Sequence, residues 1–393
     1  MIMKSSKSNT VRIVFAGGGT GGHIYPGIAV ADALRALFLQ RGVQLDIYWL
    51  GNRRGMDRTI IEKNLVSEGG SVTAFLGIFC GKLRRYFSFQ NFLDAFKILY
   101  GCIQSVWMLK KLHPDIVFSK GGFVSVPPCI AAWILRIPYY THECDCTPGL
   151  ATRLNAGGAA RILLSYKETL SYLKAPLQKK CLVTGNPVRP VFYEDASAAG
   201  LKFLGIEAGH SKPVLLVLGG SLGAQQINTL VSENLGWLTE RFIVVHQTGQ
   251  AFADQHPDVM AQADENYKPY AFLYQEMPSV VQAADVVLSR AGANSLWECA
   301  ACAKPMVLVP LCGSGTRGDQ LDNARFFEKQ GAAVVLAGAE ADADHLKLVL
   351  EPLCSAARRD ELAAACRMLC GSEKPAEKIA QVLYETALKG IET

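Results

Sequence analysis

The stretch Gly17-Gly18-Gly19-Thr20-Gly21-Gly22-His23-Ile24-Tyr25-Pro26-Gly27 sets six glycines and one imidazole directly behind an apolar run. Glycines let a chain turn tightly after a strand and bring amide N–H groups within reach of a ligand, at the positive end of the helix that follows. A phosphate suits such a seat. His23 falls near the first turn of that helix, where the dipole disfavours the imidazolium, and a neutral imidazole in a cleft can accept a proton near neutral pH. A histidine that caps or buttresses the loop is the competing reading, and the spacing leaves both open.

A second glycine loop, Gly219-Gly-Ser221-Leu-Gly-Ala224, follows Val214–Leu218 about half a chain later. Gly17-x-Gly19-x-x-Gly22 formally satisfies the dinucleotide fingerprint, but in a glycine-rich window the spacing is a weak signal. An NAD site would end its second strand on an acidic residue, whereas this one ends Leu50-Gly-Asn-Arg-Arg54. NADP survives as a rival. Cys299-Ala-Ala-Cys302 and Cys144-Asp-Cys146 raise redox or metal chemistry, yet neither has a second ligand pair at finger-like spacing, so packing is the expected role. With twelve cysteines and no secretory leader in view, reduced thiols are expected rather than a disulfide framework.

The elements that must position these residues are apolar β-branched runs, each followed by glycines or polar residues and then a helical pattern. Val11–Phe15, Ile47–Leu50, Asp115–Phe118, Pro138–Thr141, Val214–Leu218, Phe242–His246, Asp285–Leu288 and Met306–Val309 are such runs. Continuous rather than alternating apolarity marks strands buried on both faces, so an α/β architecture of parallel sheets covered by helices is predicted. Two strand, glycine loop, helix openings imply two doubly wound domains in tandem. Gly185-Asn-Pro-Val-Arg-Pro190 stiffens the connection between them, which places the domains at 1–190 and 191–371. Ile379, Val382, Leu383, Ala387, Leu388 and Ile391 recur at helical spacing, so a closing segment over 372–393 is expected to dock as an amphipathic helix, joining the first domain.

Bulk numbers fit this plan. A chain of 393 residues exceeds what one core usually supports, and 50% hydrophobic with 19% charged residues excludes disorder. A net charge of +5 lacks the clustered excess of a nucleic-acid binder. Asp94, Lys97 and Gln104 interrupt one apolar stretch and Arg136 another, so no membrane span is expected.

Further motifs appear in order: Gly18–Ala31, Lys120-Gly-Gly-Phe-Val-Ser125, His142-Glu143, Thr147–Ala151, Gly185-Asn-Pro-Val-Arg189, Gly219–Ala224, His246-Gln-Thr-Gly249, Ser289-Arg-Ala-Gly-Ala-Asn-Ser-Leu-Trp-Glu298 and Asp319–Ala324. As an ordered set spanning nearly the whole chain, they resemble the bacterial N-acetylglucosaminyltransferases that complete the lipid-linked disaccharide-pentapeptide precursor of peptidoglycan. The resemblance implies the GT-B fold, two Rossmann-like doubly wound parallel-sheet domains facing a cleft, with the donor nucleotide in the C-terminal domain and the lipid acceptor mainly in the N-terminal one. It implies an inverting transfer of GlcNAc from UDP-GlcNAc to the muramyl 4-hydroxyl of undecaprenyl-diphosphoryl-MurNAc-pentapeptide.

By that resemblance Glu298 holds the ribose, backbone from Ala293, Asn294 and Ser295 reaches the donor, and Arg290 and Tyr274 line the uracil pocket. Ser221 and Arg189 meet the diphosphate, Gln320 and Asn323 read sugar hydroxyls, and Thr20, Gly21 and Gly22 add donor contacts. Gly18, Gly19, His23, Lys120, Gly121 and Gly122 face the acceptor. His23 is the first candidate base, with Glu143 or Asp145 behind it. Cys144-Asp145 stands where many members carry Gln-Asn, so Asp145 is read as a donor-sugar contact, an acceptor contact or a base. No cofactor and no metal are expected, since no acidic pair at a strand end suggests a metal site; helix dipole, loop amides and Arg189 would meet the leaving-group charge.

Ile78-Phe79, Leu83, Tyr86-Phe87, Phe89 and Phe92 alternate with Lys82, Arg84, Arg85 and Lys97, with Trp107 and Lys110-Lys111 after them. Such a mixture suits peripheral insertion at an anionic membrane, and a buried core with a charged rim explains it equally. A lipid-linked acceptor favours the former, at the cytoplasmic face of the bacterial inner membrane, with cell-wall synthesis and division proteins as implied partners. Rival readings are another UDP-sugar transferase or epimerase, an NADP-dependent reductase, and a non-catalytic nucleotide-sugar sensor.

Overall fold

A computed structural model describes residues 10–81, 89–219, 223–313 and 316–392. The chain divides into two compact units, one of residues up to Arg189 together with Glu373 onward, the other Pro190–Ser372.

The first unit is a seven-stranded sheet: β1 (Thr10–Gly17), β2 (Gln44–Asn52), β3 (Ala74–Ile78), β4 (Ile116–Gly121), β5 (Tyr139–Glu143), β6 (Arg161–Leu164) and β7 (Cys181–Val183), in spatial order β3-β2-β1-β4-β5-β6-β7. Every pairing is parallel. Its main helices are α1 (Gly21–Gln40), α2 (Met56–Glu62), α3 (Phe89–Leu112) and α4 (Val126–Ile134). Apolar residues on both faces of β1 explain the continuous run: Ile13 and Phe15 pack on the α1 side, Val14 and Ala16 in a second core opposite. Each fully buried side chain of this size stabilises by about 1.5–3 kcal/mol, so the central strands are the firmest part of the site's support.

The second unit repeats the plan with β8 (Val214–Leu218), β9 (Ile243–Gln247), β10 (Tyr267–Tyr270), β11 (Val286–Ser289), β12 (Met306–Leu308) and β13 (Ala333–Val335), ordered β10-β9-β8-β11-β12-β13 and all parallel. The helices α5 (Ala293–Ala301) and α6 (Asp319–Lys329) flank it. The chain ends in α7 (Pro375–Glu392), which returns to the first unit: Ile379, Ala380, Leu383 and Ala387 join its core, Tyr384 meets Phe38 edge-on at 4.9 Å, and Tyr140 Oη and Thr386 Oγ1 are 2.7 Å apart. The side chain of Ile391 lies outside the described residues.

The edge strands β3, β7, β10 and β13 are only three to five residues long. β10 carries Pro269, whose missing N–H is tolerable only where one side of a strand is unpaired.

Candidate functional site

In an open parallel sheet the crevice lies beyond the strand C-termini where the strand order reverses. In the first unit that point falls between β1 and β4, and it brings the loop Gly17–Gly22 beside Gly121 and Gly122, with Gly17 paired to Gly121. The backbones approach closely: a Cβ on Gly122 would lie 2.8 Å from the Gly18 carbonyl and 3.1 Å from His23 Cγ. Gly19, Gly121 and Gly122 have φ of +84°, +85° and +74°, a region that favours glycine. What comes so near the first loop is protein. A side chain on Gly18 would collide with Asp57 and one on Gly19 with Phe123, while Trp49 donates its indole N–H to the Gly17 carbonyl at 2.9 Å.

His23 lies in the first turn of α1, half-buried, with Nδ1 2.8 Å from Thr20 Oγ1. In the tautomer that donates Nδ1–H to the threonine, Nε2 presents a lone pair. Gly18, Gly19, Thr20, Gly21, Gly22, His23, Gly121 and Gly122 therefore form one cluster. Asp57 belongs to the same place but carries no motif in the sequence: its carboxylate accepts Gly19 N–H and Asn52 N–H, both at 2.8 Å.

Lys120 is fully buried at the end of β4, and its ammonium is 3.1 Å from His142 Nδ1. His142 Nε2 is 3.0 Å from the Gly185 carbonyl, which can only accept, so Nε2 carries the proton and Nδ1 receives the lysine. Burial, and then the ammonium, hold His142 well below the ordinary imidazole range; burial also lowers Lys120. The next residue, Glu143, uses both oxygens to hold the following turn, accepting Asp145 N–H at 3.1 Å and Gly149 N–H at 2.8 Å. Burial and Asp145 push it upward against those hydrogen bonds.

The sequence reading found no acidic pair at a strand end. The structure has one, since β5 closes on Glu143 and the ligand atoms of Glu143, Cys144 and Asp145 lie within 4.8 Å of one another. The buried Lys120 ammonium is near enough for the two carboxyl groups to act on it, so a buried cation already opposes their charge. Arg189, at the end of the same unit, lays its guanidinium over the Tyr25 ring at 4.8 Å, a cation–π contact.

In the second unit the strand order reverses between β8 and β11. Beyond β11, Arg290 donates to Gln226 Oε1 at 2.8 Å and to the Val309 carbonyl at 3.0 Å, tying together the segments after β8, β11 and β12. Burial lowers its pKa. α5 starts at Ala293 behind Gly292, whose lack of a side chain leaves the N-terminus without a side-chain cap; Asn294, Ser295 and Glu298 are half-buried along it.

Asn323 is buried and donates to the Ala291 carbonyl at 3.3 Å, while Gln320 accepts Leu311 N–H at 3.0 Å. Both amides thus brace the loops around α5. Tyr274 is 38% exposed and stacks on Phe272 at 6.2 Å, beyond β10. Ser221 lies outside the described residues.

His246, from the His-Gln-Thr-Gly motif, is a packing histidine. Its Nε2 is 3.1 Å from Asn228 Oδ1 and its Nδ1 3.0 Å from Tyr267 Oη, and burial pushes it down to about 3.

The cysteine pair Cys299/Cys302 does have a second pair beside it. Cys366 lies near Cys299, and Cys370 near Cys302. The Cys299 thiol is raised well above its usual range, with burial as the largest cause; Cys302 and Cys366 are pushed up to about 12 and Cys370 to about 11, so they behave as apolar packing groups. Among the described residues these thiols do not gather into a metal-ligand group.

On α3, Phe92, Phe96, Leu99, Ile103 and Trp107 recur every three or four residues, and each is 58–62% exposed. Trp133 and Ile134 on α4 are also exposed, and Lys111 stands over the Trp107 ring at 5.6 Å. Exposure of Phe92 and Trp107 decides against a buried core, whereas Ile78 is core. Lys82, Leu83, Arg84, Arg85, Tyr86 and Phe87, and the Phe89 side chain, lie outside the described residues. No described helix is long and apolar enough to cross a membrane.

Residues 13–164 match the glycosyltransferase family 28 N-terminal domain and residues 214–383 its C-terminal domain. The UDP-N-acetylglucosamine--N-acetylmuramyl-(pentapeptide) pyrophosphoryl-undecaprenol N-acetylglucosamine transferase of Treponema denticola is 49% identical over 94% of this chain and 96% of its own. Among solved structures, Acinetobacter baumannii MurG aligns with a TM-score of 0.69 at 23% identity, over 95% of this chain and 99% of that one. A UDP-GlcNAc 2-epimerase from Neisseria meningitidis, bound to UDP-GlcNAc, aligns at 0.63 and 16% identity over 97% of this chain and 100% of that one.

Proposed function

The chain belongs to glycosyltransferase family 28, and from that membership we propose that it transfers GlcNAc from UDP-GlcNAc to the MurNAc 4-hydroxyl of undecaprenyl-diphosphoryl-MurNAc-pentapeptide. The observation that carries this reading is the 49% identity to a named transferase along nearly the full length of both chains. Fold alone would not carry it, because UDP-GlcNAc 2-epimerases share the architecture.

The reaction is a single displacement with inversion. The acceptor oxygen forms a bond to the anomeric carbon, the bond from that carbon to the diphosphate breaks, the hydroxyl proton passes to His23 Nε2, and UDP departs with the electron pair. The Thr20 contact supports His23 as base by orienting the ring. Glu143 is the weaker candidate, since each of its oxygens already accepts an amide. The donor would bind at the β8/β11 crevice, with Glu298 on the ribose, Tyr274 and Arg290 beside the uracil, and the N-terminus of α5 toward the diphosphate. Ser221 and Arg189 would add hydrogen bonds to the departing charge. Gln320 and Asn323 would read hydroxyls of the sugar through their side-chain amides. Gly18, Gly19, Lys120, Gly121 and Gly122 would shape the acceptor side.

The exposed apolar stripe of α3 with Lys110 and Lys111 supports peripheral attachment to an anionic bilayer, at the cytoplasmic face of the inner membrane. Incubation with sugar-labelled UDP-GlcNAc and a lipid-linked muramyl peptide tests the function: label is expected on the lipid product. Conversion of UDP-GlcNAc to its 2-epimer without transfer would establish the epimerase reading instead.

A further inference from the structure

The first glycine loop has the form of a phosphate seat, and an anion is already in it. Asp57 enters from the start of α2 and is 1% exposed; its Oδ1 accepts the Gly19 amide and its Oδ2 the Asn52 amide, each at 2.8 Å. Asp57 fills the space that a Cβ on Gly18 would take, and a Cβ added to Gly51 would lie 3.3 Å from that of Asp57. The glycines thus admit a carboxylate of the chain itself, in the place where a loop of this type would receive a ligand phosphate. A diphosphate brought to Gly19 N–H would find the donor used and a fixed carboxylate behind it.

We propose that Asp57 is a positioning residue that occupies the anion seat of the first glycine loop, so that the loop presents Thr20 and His23 to a substrate hydroxyl and does not seat a diphosphate. The kinetic part of this inference rests on the transferase reading above; the structural part does not. Loss of the carboxylate frees the Gly19 amide, and Thr20 and His23, the next residues along, lose their fixed approach.

The test uses the full chain with Asp57→Asn and Asp57→Ala. Hydrogen exchange at the Gly19 amide is expected to speed up at least ten-fold in Asp57→Ala while β1 amides keep their rates. Inorganic pyrophosphate should protect Gly19 in Asp57→Ala and leave the wild type unchanged. Asp57→Asn should lower kcat at least ten-fold with KM for UDP-GlcNAc within two-fold, and adding Asp57→Asn to His23→Ala should slow that variant no further.

Equal Gly19 exchange in wild type and variant, pyrophosphate protection in the wild type, or losses that multiply with those of His23→Ala would each overturn the proposal. If Asp57→Ala does not fold, Asp57→Gly, which also empties the seat, carries the exchange and pyrophosphate readouts, and Asp57→Asn keeps the kinetic ones. A wild type that transfers no sugar removes the transferase reading, and the exchange measurements still decide the role of Asp57.

Discussion

The proposed function gives His23 the role of base and Glu298 that of ribose grip, so substitutions at the two positions should separate in kinetics. His23→Ala is expected to lower kcat by roughly 10²–10⁴-fold with little change in KM for UDP-GlcNAc. Thr20→Val, which keeps the ring but removes the partner 2.8 Å from Nδ1, should cost about ten-fold in kcat, the equivalent of one ordinary hydrogen bond. Glu298→Ala should raise KM for UDP-GlcNAc by roughly 10–100-fold, the loss of hydrogen bonds to a charged acceptor. Steady-state kinetics on the three variants checks the pattern; a Glu298 variant with wild-type KM would remove it from the donor site. At this scale the motif residues were legible because their types announce chemistry. Asp57 and Gln226 were not, since one aspartate or glutamine among many gains meaning only when folding brings it to a loop amide or an arginine. Asn323 and Gln320 also brace backbone, a role that their place in the motif did not announce.

Strands and loops carry the next set of consequences. Gly19→Ala combines a positive φ with a clash against Phe123 and should destabilise by about 2 kcal/mol or more, measured by urea unfolding. His246 gives a pH signature. It is held neutral in the fold, down to about 3, so the unfolded chain takes up its proton first as pH falls below the ordinary 6.5; its stabilisation is complete above 6.5 and is lost progressively toward 3. Between pH 7.5 and 5.0 the wild type should therefore lose about 2 kcal/mol more stability than His246→Gln. Equal losses would show that the histidine is not buried neutral. The central strands could be read from the sequence because burial on both faces writes continuous apolar runs. The edge strands β7 and β10 were not readable, being three or four residues long and half wet. An acidic pair at the end of β5 also escaped notice, because Glu143 and Asp145 read as separate motif positions until the turn held by Glu143 gathers them.

Over the whole molecule, each unit repeats one device: a parallel sheet whose order reverses beside a glycine loop. The exposed apolar stripe on α3 is the proposed face toward the lipid substrate. Phe96→Glu with Trp107→Glu should cut binding to phosphatidylglycerol-containing vesicles at least ten-fold, while turnover of a soluble acceptor analogue stays unchanged; retained sedimentation with vesicles would contradict that face. The division of labour between the units is the claim on which the rest depends, and a crystal structure with UDP bound tests it most directly. Uridine should lie at the β8/β11 crevice with its ribose hydroxyls within hydrogen-bonding distance of Glu298. Uridine at the first glycine loop, with its diphosphate on Gly19 and Glu298 remote from the ribose, would contradict it.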